Sequence, residues 1–140
     1  MLIAMGRYGV AVVSLLLFVL AGEPLRLDYD PRVLLPAGAT RLHLDRCPVP
    51  RGFWAPLEEK GWVTECYLVG GDPVILRAAL EVSLKNAGYR CEVSETNTLA
   101  ETTLFYIQDW RSGKLRLFVE VFIFTDRDRA IYLLSHPPRR

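Results

Sequence analysis

The chain has 140 residues, of which 51% are hydrophobic and 24% charged, and its formal net charge at pH 7 is +1. This length allows one domain of ordinary size and excludes two independent hydrophobic cores. The near-neutral charge excludes the basic surplus with which nucleic-acid binding proteins neutralise phosphates, and the many Leu, Val, Phe and Tyr residues exclude a disordered chain.

An uncharged apolar segment lies near the N-terminus, over residues 8–22. The apolar core of a signal peptide runs about 7 to 15 residues, whereas about 20 are needed to cross a bilayer. Val19 and Ala21 satisfy the small-residue rule of signal peptidase. The sequence therefore predicts a signal peptide over 1–21 and a mature chain that starts at Gly22. The alternative is that residues 8–22 stay as a membrane anchor.

Cleavage at this site defines the expected compartment and charge. It removes Arg7 and no acidic residue, so the mature net charge is zero. We expect export to a periplasm or cell envelope, with secretion or membrane anchoring as alternatives. Nucleic acid is not an expected partner, and membrane contact is expected only if residues 8–22 are retained.

The segment after the signal is rich in proline. Prolines fix the backbone and remove hydrogen-bond donors, so residues 22–39 are predicted to form an extended leader outside the core. A single α/β domain is then expected over 40–136, followed by a solvated tail over 137–140.

Polar and apolar residues alternate over residues 40–45, which predicts a short strand with His43 and Asp45 on one face. That pair could orient a general base, so the alternative function is a small secreted hydrolase or an inhibitor that uses this face. No serine lies in a G-x-S-x-G elbow, and neither histidine has a cysteine at zinc-finger spacing. We therefore expect no catalytic residues, no cofactor and no metal site.

Three prolines and two glycines surround Phe53 and Trp54 in residues 47–61, which predicts an ordered surface loop with a helical turn at 56–60. With Trp62, these rings either cover the open end of the core or form a binding patch for a protein or glycan. One helix cannot cover a sheet of about six strands, so a bare apolar sheet face could also bind a partner or a second copy.

The mature chain has three cysteines, Cys47, Cys66 and Cys91, and an exported chain permits disulfide formation. The first choice is Cys47 with Cys66, which are consecutive and would close a loop of about 20 residues, worth roughly 3 kcal/mol. Pairing of Cys66 with Cys91, or three buried free thiols, are the alternatives.

A strand is predicted over 62–69 and a helix over 73–87. Asp72 can cap the helix, Pro73 suits its first position and Gly88 suits its end. The core-facing stripe is predicted to comprise Ile75, Leu76, Ala79, Leu80 and Leu84.

Four β-rich runs follow the helix, over 89–95, 102–110, 114–125 and 130–135, with a polar link over 94–101. Runs two and three are separated by a glycine-bearing turn typical of a hairpin. The fold class is therefore α+β: a single, mainly antiparallel sheet of about six strands with one helix packed on one face. The strands that flank the helix are either parallel neighbours or separated by others.

The helix and strand LRAALEVSLKNAGYRCEV, followed by the strand TTLFYIQDW, resembles the core of small bacterial envelope lipoproteins of the YajG-like and LptE-like kinds. The resemblance covers residues 63–134. It implies an extracytoplasmic α/β domain that acts in assembly or binding, without catalysis. Leu20-Ala21-Gly22 is similar to the start of a lipobox, but Glu23 stands where the lipidated cysteine would be, so no lipid anchor is expected.

These patterns together predict an exported, non-enzymatic envelope protein. It would act through protein–protein contact, with another envelope protein or with itself, as an accessory or assembly subunit.

Overall fold

The computed structural model describes residues 25–138, so the predicted signal peptide and its cleavage site lie outside the described residues. The strands are β1 Thr40–Leu42, β2 Val63–Gly70, β3 Arg90–Ala100, β4 Thr103–Ser112, β5 Leu115–Phe124 and β6 Arg129–His136. The helices are α1 Ala55–Glu59 and α2 Pro73–Asn86, and 3-10 turns occupy Leu44–Arg46 and Arg51–Phe53. Within the described residues, none of the helices has the length and apolar character needed to span a membrane.

The six strands form one sheet in the order β1-β2-β6-β5-β4-β3, and all neighbours are antiparallel. The predicted antiparallel sheet of about six strands is confirmed, and the sheet dominates the fold. β2 and β3 flank α2 and run parallel to each other, but three strands lie between them. The separated arrangement is therefore the one adopted.

Helix α2 begins and ends where the sequence predicts. The Asp72 carboxylate accepts hydrogen bonds from the backbone N–H groups of Val74 and Ile75, at 2.9 and 3.4 Å, and Gly88 adopts a φ of +91° after the last turn. Leu76, Leu80 and Leu84 are buried against the sheet. The prediction for Ile75 was wrong: it lies on the first turn, beyond the sheet, and is 66% exposed.

The leader is part of the core, which corrects the expectation that it lies outside. Leu27, Tyr29, Val33 and Leu35 are buried in the same cluster as the α2 leucines. The Ser83 hydroxyl in α2 accepts a hydrogen bond from the Leu34 N–H at 2.9 Å and donates one to the Leu34 carbonyl at 2.5 Å. The leader folds back in this way because a single helix leaves part of the sheet face bare.

The opposite face of the sheet is covered by the segment 43–59, which we call the cover segment. Val49 and Trp54 are buried there against side chains of β2, β4, β5 and β6. β1 ends at Leu42, so the predicted strand over 40–45 was too long. The following 3-10 turn bends the chain onto the sheet face, where Leu44 and Cys47 pack.

β3 extends to Ala100, so the polar link predicted over 94–101 was wrong. All of its residues are exposed. A strand with no buried face has no alternation of apolar and polar side chains, so the hydrophobic pattern of the sequence does not mark it. The remaining strands match their predicted positions to within a few residues.

Candidate functional site

The outer edge of β3 is an open end of the sheet. β3 is the last strand in the sheet order and pairs with β4 alone within residues 25–138. An edge strand presents a row of unpaired N–H and C=O groups to which another strand can be added. The other edge strand, β1, has 3 residues against 11 in β3.

β3 lacks two of the features with which proteins protect an edge, although it has charged side chains at Arg90, Glu92 and Glu95 and two register irregularities. It contains neither proline nor lysine, the two residues most often used for this purpose. Register irregularities lie between Cys91 and Val93 and between Thr98 and Ala100, so residues 93–98 pair regularly with β4. Val93 and Leu99 are 51% and 49% exposed. The edge therefore combines a regular stretch over residues 93–98 with one apolar side chain at each end of it, Val93 at its start and Leu99 just beyond it.

A polar network holds β3 in place. The Gln108 side-chain amide in β4 donates hydrogen bonds to the Ser94 hydroxyl at 3.3 Å and to Glu81 of α2 at 3.0 Å. The Gln108 carbonyl in turn accepts from the indole N–H of buried Trp110 at 3.1 Å. Helix α2 is thereby connected to the open edge, and β3 is presented as an ordered strand.

A buried ionic cluster lies near the opposite end of the sheet, around Glu65 of β2. Its Oε1 accepts a hydrogen bond from the Tyr67 hydroxyl at 2.9 Å and lies 3.5 Å from Arg41 Nη2. Its Oε2 lies 3.7 Å from His136 Nε2, and the His136 ring stacks on Tyr29 with centroids 4.0 Å apart. Burial, together with the carboxylate, raises the pKa of Tyr67.

A cleft of about 450 Å³ opens beside this cluster, lined by Arg41, Leu42, His43, Leu44, Thr64 and Glu65. The predicted pair His43 and Asp45 is divided here, because His43 lines the cleft and Asp45 does not. Both side chains are exposed, and no hydrogen bond joins them within the described part of the chain. The two side chains therefore do not form the hydrogen-bonded pair that the sequence predicted for orienting His43.

Glu120 is a second buried carboxyl, placed in the middle of the face that the cover segment protects. It is 3% exposed, and its Oε1 has no hydrogen-bond partner among the described residues. Burial raises its pKa to about 7. Glu65 and Glu120 were not among the predicted site residues, although each is the one charged residue within an apolar strand segment, which is the signal that identifies them.

The aromatic candidates for partner binding lie against the sheet. Trp54 is only 5% exposed, so it covers the core and presents no surface to a partner. Phe53 is half-buried and packs edge-on against Phe105 and Phe122 at 5.5 and 5.0 Å. Trp62 is half-buried beneath the Arg116 guanidinium, at 5.2 Å.

The three cysteines occupy different environments. Cys66 of β2 is buried, Cys47 in the cover segment is half-buried, and their Sγ atoms lie 2.7 Å apart. All three cysteines are free thiols in the described residues, so the predicted Cys47–Cys66 disulfide is not formed in this structure. Cys91 is exposed on β3. Within residues 25–138 no group of three or more His, Cys, Asp or Glu side chains could hold a metal ion.

Comparisons with protein-family models, with curated proteins and with solved structures found no match to this chain.

Proposed function

We propose that this protein is a non-enzymatic structural subunit that assembles by pairing β3 with β3 of a second copy. The observation that carries the proposal is the open edge itself: an 11-residue strand, exposed at every position and held in place by β4 and α2. Antiparallel pairing of two such edges joins two sheets into one and satisfies the free backbone groups of both copies.

The side chains of β3 define the register of this pairing. In a continuous sheet, helix α2 of both copies lies on the same face. The two-fold axis must then lie midway between the two copies of one residue, because a one-residue slip would exchange the faces. Pairing centred on Glu95 gives the longest overlap but sets two carboxylates against each other. Centring on Thr96 pairs residues 94–98 within the regular stretch, brings Val93 to Leu99 at the irregularity beyond it, and avoids this repulsion.

The register centred on Thr96 forms two kinds of complementary cross-strand pair. Val93 lies opposite Leu99 of the second copy, and Glu95 lies opposite Asn97, whose amide can donate to the carboxylate. Cross-strand pairs of this kind each contribute roughly 0.2–1 kcal/mol beyond the backbone hydrogen bonds. The edge is therefore complementary to itself, which is the property that a two-fold interface requires.

The oligomeric state of the full chain tests this proposal, measured by sedimentation equilibrium over a range of concentrations. We expect a dimer, and we expect the double variant Val93→Lys with Leu99→Lys to be monomeric because like charges then face each other at both ends. The matched control is Val82→Lys on the exposed face of α2, where the residue is 55% exposed, and it should stay dimeric. A monomeric parent chain at all concentrations contradicts the proposal.

Crosslinking tests the register, in a Cys91→Ser background that removes the exposed thiol of β3. Thr96→Cys should form a disulfide between two copies because residue 96 faces itself across the two-fold axis. Glu95→Cys is the matched control and should crosslink far less. Preferential crosslinking of Glu95→Cys would show that the register is wrong.

We also propose that the protein is exported to a bacterial envelope, on the strength of the apolar segment that precedes the described residues. Mass spectrometry of the native protein tests this step. We expect an N-terminus at Gly22, whereas an intact Met1 in the membrane fraction would favour the retained anchor.

A further inference from the structure

Cys47 and Cys66 come together because the cover segment folds across β2. Cys66 lies within β2 opposite Leu42 of β1, and the 3-10 turn that follows β1 brings Cys47 over the same face. The Cys66 thiol donates a hydrogen bond to the Cys47 sulfur at 2.7 Å. A disulfide has an S–S length of about 2.05 Å, so the two sulfurs need to approach by less than an ångström to bond.

The two sulfurs differ in reactivity. The Cys66 thiol and the Val49 N–H both donate to Cys47, and these hydrogen bonds lower the pKa of Cys47 to about 7. The same hydrogen bond, together with burial, raises the pKa of Cys66. The thiolate is the reactive form of cysteine, so Cys47 is the nucleophile at neutral pH.

Access from solvent follows the same order. Cys47 is half-buried at the surface of the cover segment, whereas Cys66 is completely buried beneath it. A reagent in solution can reach only the first of these sulfurs. This division corresponds to an attacking thiol and a resolving thiol.

We propose that Cys47 and Cys66 form a redox-active dithiol that reacts with disulfide-bearing molecules, with Cys47 as the attacking sulfur and Cys66 as the resolving sulfur. This inference is independent of the pairing of β3, which lies on the far edge of the sheet.

The exchange proceeds in two balanced steps. The Cys47 thiolate attacks one sulfur of the external disulfide, so that a mixed disulfide forms and one external thiolate leaves. The Cys66 sulfur then attacks the Cys47 sulfur, the bond to the external sulfur breaks, and the Cys66 proton passes to the second external thiolate as it leaves. Two protein thiols are oxidised to one disulfide, and the external disulfide is reduced to two thiols.

Oxidised glutathione is the probe for this reaction, added to the reduced full-length chain in the Cys91→Ser background. We expect the intact protein to end lighter by two hydrogens, with one disulfide between Cys47 and Cys66 in the peptide map. This measurement needs no change to either reactive cysteine, so it does not depend on how well a variant folds.

Two matched variants separate the roles of the sulfurs. Cys66→Ser should accumulate the mixed disulfide on Cys47, because no resolving thiol is present. Cys47→Ser should remain unmodified at the buried Cys66 while the protein is folded. The proposal is overturned if both thiols of the parent chain stay reduced, or if glutathione adds to Cys66 in folded Cys47→Ser faster than to Cys47 in Cys66→Ser.

Discussion

β2 and β3 flank the same helix and run in the same direction across the sheet, yet their environments are opposite. β2 has neighbours on both sides and cover on both faces, and five of its eight residues are buried. β3 has one neighbour, and every one of its residues is exposed.

This difference shows that a strand is buried where other segments cover the sheet, whatever the length of the strand. The leader and α2 cover one face of the sheet, and the cover segment covers the other. Neither of the two buried clusters includes a residue of β3. Polar groups near β2 are therefore buried, as at Glu65, while the apolar Val93 and Leu99 of β3 stay in water. Stability is expected to reside in the covered strands and association in β3.

The largest effect should come from removing the cover. Trp54→Ala leaves a cavity over β2, β4 and β6 and should lower the free energy of unfolding by about 4 kcal/mol. Urea denaturation followed by circular dichroism measures this change. Trp62→Ala, at a half-buried position, is the control and should cost clearly less; equal losses would contradict the central role of Trp54.

The next effect concerns the buried carboxyl of the covered face. The pKa of Glu120 is about 7 in the folded protein, against its usual 4.5. The folded state therefore holds one more proton between these values, and its free energy of unfolding falls by about 3 kcal/mol as the pH rises through this window.

Glu120→Gln should abolish that fall and make the protein more stable by about 2 kcal/mol above the window, as measured by urea denaturation on both sides of it. Glu95→Gln makes the same substitution on β3, where surface changes stay within about 0.5 kcal/mol. If Glu120→Gln retains the full pH dependence of the parent chain, the assignment to Glu120 is wrong.

The link between the cover segment and β2 should have an effect of similar size. Oxidation of Cys47 and Cys66 closes a loop of about 20 residues and should stabilise the folded chain by up to roughly 3 kcal/mol relative to the reduced protein. Thermal unfolding with and without a reductant measures the difference, and Cys47→Ser should show none. A loss of stability on oxidation would contradict this expectation.

The smallest effect is expected on β3. Val93→Ala removes apolar side-chain atoms that are already half in water, so the free energy of unfolding of the monomer should change by less than about 0.5 kcal/mol. Chemical denaturation at a protein concentration below the dissociation constant of the dimer measures the monomer alone, so the result can be compared directly with that for Trp54→Ala. A loss above about 1 kcal/mol would show that β3 contributes to the core after all.

The helix and the covered strands could be predicted from the sequence because their signals are local. Asp72 and Gly88 mark the limits of α2, and hydrophobic runs mark β5 and β6. The second half of β3 was missed because an edge strand exposed on both faces carries no hydrophobic period. The prediction of six antiparallel strands succeeded without it.

The features of the candidate sites depend on tertiary contacts, which local patterns do not contain. The prolines of the leader predict an extended chain but not that Leu27 and Val33 fill the core. The burial of Glu120 follows from Trp54 and its neighbours, which lie far away along the chain. Cys47 and Cys66 were predicted to form a disulfide because they are consecutive; the structure brings their sulfurs together but leaves both as free thiols.

The position of β6 determines when the sheet can be completed during folding. β6, the last strand within residues 25–138, lies between β2 and β5, so it provides the hydrogen-bonded connection between β1–β2 and the meander β3–β4–β5. The hairpins β3–β4 and β4–β5 close locally and can form early, but β2 must wait for a strand about 60 residues further along. In a chain that emerges N-terminus first, the sheet therefore remains open until β6 arrives, and during that time β2 and β5 each have an unpaired edge.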